Sequence, residues 1–189
     1  MPAVLDIINR GLDLLGQQPL TSMDERTPNA AKVKRVWPGV RASVLRAHVW
    51  KCAQERVELA RLADRPAFGF SYQYQLPGDF VRLVATDPER AIVCVKGNTL
   101  MSDAPTLAIA YVKDVDDAEL FDALLVECLA MRLAADLAFG ITGSVQMRMG
   151  LEETYKRLLA DARHVDATEG AGQQFPQSSW VSAKLGGAR

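Results

Sequence analysis

The side chains best suited to chemistry in this chain are few and scattered. Only two histidines occur, His48 and His164. Imidazole titrates near neutral pH and could move a proton, but proton transfer needs a partner group held at a fixed distance. Neither histidine sits in a catalytic pattern, and both are read as structural. The sequence contains no H-E-x-x-H, G-x-S-x-G or G-x-x-x-x-G-K-[ST]. Carboxylates cluster at Asp114, Asp116 and Asp117 and again at Glu152 and Glu153. Their place at the start of one helical pattern and within another explains them as dipole partners and surface charge. Cys52, Cys94 and Cys128 are odd in number and contain no C-x-x-C pair, which reads as free thiols rather than a disulfide frame or zinc site. Gly140 and Gly143 precede a helical pattern but also follow one, whereas phosphate-binding glycine loops follow a strand. No catalytic residue, metal or cofactor is expected, and the chain is not expected to be an enzyme.

Two further patterns could bind nucleic acid. Lys32, Lys34, Arg35, Arg41, Arg46, Lys51, Arg56 and Arg61 form a basic series with few acids between them. Phe68, Phe70, Tyr72 and Tyr74 alternate as base-stacking aromatics do on some RNA-binding sheets. Over 189 residues the net charge is only −1, which argues against a dedicated nucleic-acid binder. The basic series is read as a solvated face and the aromatic run as a packed strand. The sequence opens on no basic-then-apolar leader and holds no apolar stretch long enough to span a bilayer, so a protein made and folded in the cytoplasm is expected.

The elements that would position these residues follow from periodicity. Val4, Ile8, Leu12 and Leu15 predict a first helix over Met1–Gly16. Val33, Trp37, Val40, Val44, Ala47, Trp50, Ala53, Val57 and Ala60 predict one long helix from Thr27 to Leu62, begun by Thr27-Pro28 and kinked or briefly broken at Pro38. Beyond it the period falls to two. An extended segment is expected over Phe68–Leu76, then a turn at Pro77-Gly78 and an apolar stretch over Phe80–Val84. A hairpin of Ile92–Val95 and Thr99–Ser102 should close around Lys96-Gly97-Asn98, with a third strand over Leu107–Val112. Ala118–Phe139 is apolar on nearly every side, as in a helix surrounded by partners. A last helix carries Leu151, Tyr155, Leu158, Ala162 and Val165. The expected fold is mainly α: a helical bundle (1–66 and 113–167), a small β-hairpin or β-rich insertion (67–112) and an extended C-terminal arm (168–189). That arm is Gly-, Gln- and Ser-rich, yet it carries Phe175, Trp180, Val181 and Leu185. Large apolar side chains in such a segment point to a binding partner.

Taken in order, these segments resemble the head-to-tail adaptor proteins (tail tubular, or portal-accessory proteins) of short-tailed bacteriophages. Ile8-Asn9-Arg10-Gly11-Leu12 with Leu15-Gly16 and Pro19 is similar to the family's opening helix, and Thr21-Ser22-Met23-Asp24 to the connection after it. Trp37-Pro38, Arg41, Leu45-Arg46 and Trp50 match its Arg-rich segment ending on a tryptophan. Tyr72-Gln73-Tyr74-Gln75-Leu76-Pro77-Gly78-Asp79 with Arg82 resembles its Y-x-Y-x-L-P-x-D-x-x-R segment. Leu129-Ala130 to Leu137-Ala138, Thr142-Gly143-Ser144 and Ser178-Ser179-Trp180 resemble its later landmarks.

The resemblance implies a structural virion protein at the head–tail junction, assembled in the host bacterial cytoplasm. It implies a homo-oligomeric ring, commonly dodecameric, that docks on the portal protein, extends the DNA channel without sequence-specific DNA binding, and presents a platform to the tail nozzle protein. No membrane partner is implied. Phe175, Trp180, Val181, Leu185 and Arg189 would form a portal-binding arm, and Lys96, Gly97 and Asn98 a nozzle contact. The competing expectations are a virion-associated peptidoglycan-degrading enzyme and a small DNA-binding protein.

Overall fold

The structure is a computed structural model that describes residues 3–170, with side chains described as far as Val165. Its first three helices begin where side chains can satisfy free backbone N–H groups. In α1 (Val4–Asp13) the Asp6 carboxylate accepts from Ala3 N at 2.8 Å. In α2 (Pro28–Ala47) the Thr27 hydroxyl accepts from Ala30 N at 3.2 Å, and Pro28 occupies the first turn. In α3 (Ala123–Thr142) the Asp122 carboxylate accepts from Leu125 N at 2.7 Å. Such caps replace the hydrogen bonds that a helix start lacks. Gly143, at φ +71°, ends α3 in the left-handed conformation, and α4 (Val145–Gly170) returns against it.

The six strands among the described residues form two three-stranded antiparallel sheets. One has the order β1 (Gln54–Glu58), β6 (Ala108–Lys113), β3 (Phe80–Asp87); the other has the order β2 (Tyr72–Gln75), β5 (Thr99–Ser102), β4 (Val93–Lys96). The architecture is therefore mixed α and β. This corrects the expected mainly-α bundle with a small β insertion.

Most of the correction arises at one place. The expected helix from Thr27 to Leu62 ends at Ala47, and His48 is extended at φ −140°, ψ 160°. After a 3-10 turn at Lys51–Ala53 the chain enters β1. Val57 and Leu59 satisfy a period of two as well as Val57 and Ala60 satisfy a helical one, so local pattern does not decide. Pairing with β6, some fifty residues later in sequence, does: Gln54 to Glu58 lie opposite Val112 to Ala108. The helical assignment meanwhile runs unbroken through the exposed Pro38, so the expected break does not occur.

Smaller differences follow the same logic. The described part of the first helix is shorter than expected, and Gly16 (φ +66°) lies in the turn after it. The extended segment shrinks to Tyr72–Gln75 and leaves Phe68 in a loop, 86% exposed. Ala118–Leu120 is a separate 3-10 turn, so the helix expected from Ala118 starts at Ala123 and runs three residues past Phe139. Val165 is not a core position but exposed.

Two hydrophobic cores result. The larger joins the four helices around Ile8, Leu12, Val33, Trp37, Leu129 and Leu133. Apolar burial stabilises by about 25 cal/mol per Å², which explains why α3, buried from Leu125 to Ala138 on most sides, organises this layer. The smaller core lies between the two sheets, with Tyr74 and Leu100 from one facing Ile109 and Tyr111 from the other. Val112, on the opposite face of β6, belongs to the helical core, so β6 joins the two layers.

Candidate functional site

A polar cluster lies where α2 meets β3 and β6. A cleft there is lined by Arg41, Arg46, Asp79, Phe80, Asp114 and Asp116, among others. Arg41 grips Asp114 through two parallel bonds, Nε to Oδ1 at 2.8 Å and Nη2 to Oδ2 at 2.7 Å. Bidentate pairs of this kind fix orientation as well as charge. Arg46 Nη1 donates to Val81 O at 2.5 Å, and Arg82 Nη1 donates to Arg46 O at 3.0 Å. Asp79 accepts from the Tyr111 hydroxyl at 3.1 Å, and its carbonyl accepts from Asp114 N at 2.7 Å.

The same seam shows why α2 stops. The last carbonyls of a helix lack intrahelical donors. Here Trp50 Nε1 donates to Val44 O at 3.0 Å, Arg82 to Arg46 O, and Arg163 Nη2 to Ala47 O at 2.8 Å. Donors from three other segments thus serve the end of α2. His48 lies edge-on to the Trp50 ring, centroids 4.8 Å apart.

Electrostatics follow burial. The Tyr111 hydroxyl is pushed up to about 12, first by burial and then by its bond to the Asp79 carboxylate. Lys113 is raised by its bond to Glu55 at 2.7 Å. Burial in the helical core pushes the Cys128 thiol up to about 12, so it is held protonated and unreactive.

Chemically, the cleft is a structural lock. Asp79, Asp114 and Asp116 share it, and both carboxylate oxygens of Asp114 are taken up by Arg41. His164 is exposed at the far end of α4 and separate from this cleft. Among the described residues, no three His, Cys, Asp or Glu side chains are grouped so as to hold a metal ion, and no helix is long and apolar enough to cross a membrane. Several cations of the basic series are engaged within the chain: Lys32 with Gly140 O at 2.7 Å, Lys34 with Asp24 at 2.7 Å, and Arg41 and Arg46 as above. Arg61 lies over the Tyr72 ring, 5.1 Å from its centroid.

The Lys96, Gly97 and Asn98 turn is exposed at the tip of the β4–β5 hairpin. Gly97 has φ +59°, while no residue other than glycine has positive φ among those described. A glycine at the first central position fits a type II′ hairpin turn. Asn98 O accepts from Leu76 N at 3.1 Å and from Gln75 Nε2 at 3.2 Å, tying the turn to the Tyr72–Asp79 segment. Phe175, Trp180, Val181, Leu185 and Arg189 lie outside the described residues. The structure brings together Arg46, Trp50, Asp79 and Arg82, which sequence reading noted only as separate landmarks. It adds Arg163 and Tyr111, for which the sequence carried no signal, because their contacts are long-range.

Compared with models of known protein families, the chain matches none, and no curated protein gives a significant match.

Proposed function

We propose that this protein is a non-enzymatic, ring-forming head-to-tail adaptor of a short-tailed bacteriophage virion. The observation that supports it most is the convergence of the resembling landmarks. Arg46 and Trp50 of the Arg- and Trp-bearing segment meet Asp79 and Arg82 of the Y-x-Y-x-L-P-x-D-x-x-R segment at one joint between helices and sheets. Residues over thirty positions apart that serve one joint are what a shared architecture would require.

In this reading the helical layer forms the body of the ring, and DNA passes through it without sequence-specific contact. The Lys96–Asn98 tip meets the tail nozzle protein, and Phe175, Trp180, Val181, Leu185 and Arg189 engage the portal protein. Trp180 would be a central anchor, a residue type whose truncation costs about 2 kcal/mol or more at an interface. Repetition around a ring multiplies modest contacts through avidity.

The test is native mass and co-sedimentation with the cognate portal ring, comparing the full chain with one ending at Gly170. Stoichiometric association lost on truncation is expected. Absence of association by the full chain would overturn the adaptor reading, and peptidoglycan turnover or salt-dependent duplex DNA binding would replace it. Association that survives truncation would move the portal contact from the arm to the helices.

A further inference from the structure

The outer strands of the two sheets are not equally protected. An open edge presents unpaired N–H and C=O groups and recruits other strands unless it is charged, bulged or covered. β1 exposes Gln54, Glu55, Arg56 and Glu58. β3 carries register shifts between Phe80 and Arg82 and between Leu83 and Ala85, which blunt an edge. β2 is covered by residues 60–62, through Leu62 N to Gln73 O at 2.9 Å and Gln75 N to Ala60 O at 3.1 Å. Among the described residues, β4 has none of these devices along its apolar run. It reads Val93-Cys94-Val95 before Lys96, with Ile92 just ahead and 75% exposed. Val95 shares the inward face with Leu100 and Tyr74, both buried, yet it is 44% exposed. One more strand would cover it.

We propose that β4 is a self-recognition edge, at which two copies of this chain pair β4 to β4 antiparallel and join their three-stranded sheets into one of six strands. The inference does not rest on the adaptor reading and concerns the free chain, because a two-fold pair is not the head-to-tail contact that closes a ring.

The register is self-complementary. The two-residue turn makes Lys96 and Thr99 the closing hydrogen-bonded pair. Alternation then directs the N–H and C=O of Val93 and Val95 to the open edge. Centring the pairing on Cys94 sets Val93 opposite the second copy's Val95, so all four groups on each strand find partners. The valines cover one another on the inward face. On the outward face Lys96 falls opposite Ile92 of the second copy, so no like charges meet. Cys94 lies on the two-fold axis opposite its own copy in a non-hydrogen-bonded pair, the closest cross-strand position.

Sedimentation equilibrium of the full chain over a concentration series, under reducing conditions, tests the pairing. A monomer–dimer equilibrium is expected. Cys94→Lys, an outward exposed position, should weaken it about tenfold or more by placing two ammonium groups face to face. Gln54→Lys on the β1 edge should leave it unchanged. Mild oxidation of wild type should give a dimer linked through Cys94, identified by peptide mass. A chain that stays monomeric, a dimer indifferent to Cys94→Lys, or one weakened equally by Gln54→Lys would each overturn the proposal.

Discussion

Arg46 and Arg82 each donate to the other's segment. Arg46 Nη1 reaches Val81 O at 2.5 Å, and Arg82 Nη1 reaches Arg46 O at 3.0 Å. The pair fastens the last turn of α2 to β3 although both side chains are cations, because each is bonded to backbone oxygen. Removing either donor should cost about 1 kcal/mol, the typical net contribution of a hydrogen bond, because solvent reaches both. The double variant Arg46→Ala/Arg82→Ala should lose less than the sum of the single losses, since the two bonds hold one joint. Urea midpoints of the four proteins form the cycle, and strict additivity would show that the bonds act separately.

Trp50 combines a buried indole with a hydrogen bond to Val44 O. Trp50→Phe keeps much of the apolar volume but leaves that carbonyl without its donor, at a cost of about 1–3 kcal/mol. Trp50→Ala adds a cavity and should cost about 3–5 kcal/mol. A Trp50→Phe variant with the thermal midpoint of wild type would remove the hydrogen bond from this account, and equal midpoints for the two variants would remove the cavity.

Two glycines should respond with opposite signs to alanine. A Cβ at Gly11 would meet Ala130 O at 3.0 Å and Leu133 Cδ2 at 3.2 Å. Gly11→Ala should therefore force α1 away from α3 and cost about 1–3 kcal/mol. A Cβ at Gly39 meets nothing within 4 Å, and Gly39 lies inside α2. Gly39→Ala should stabilise by about 0.5–1 kcal/mol through helix propensity. Denaturation of the two variants side by side checks both signs.

Stability should decline in alkali. The unfolded tyrosine loses its proton near 10, whereas folded Tyr111 keeps it to about 12. Between those values the unfolded chain binds fewer protons, so stability falls as pH rises, by up to about 1.4 kcal/mol per pH unit for this group. Cys128, raised from 9.0 to about 12, adds to the fall from a lower pH. Urea midpoints from pH 9 to 11 should drop steeply for wild type and less steeply for Tyr111→Phe. Parallel profiles would show that Tyr111 does not carry the effect.

Thiol reactivity should separate the cysteines. Cys94 is exposed on β4, whereas Cys128 is buried and held protonated. Under native conditions a disulfide reagent should modify Cys94 first, and Cys128 should react only on unfolding. Prompt native labelling of Cys128 would show that the helical core opens readily.

Local signals sufficed where the deciding contacts are local. Thr27-Pro28 marked the start of α2, Gly97 and Asn98 marked the β4–β5 turn, and the all-round apolar stretch marked α3 as the centre of the helical layer. Those residues act through their own φ preferences, their own caps or a single helical period. The end of α2 could not be read in this way. Its stop depends on Arg82 and Arg163, distant in sequence, and on the pairing of Gln54–Glu58 with β6, while the segment from His48 to Leu62 fits a helical period almost as well as an extended one. A segment with two nearly equal local solutions takes the one its long-range partners complete. The mixed α and β fold, the polar joint at its seam and the open edge of β4 were therefore decided by tertiary structure.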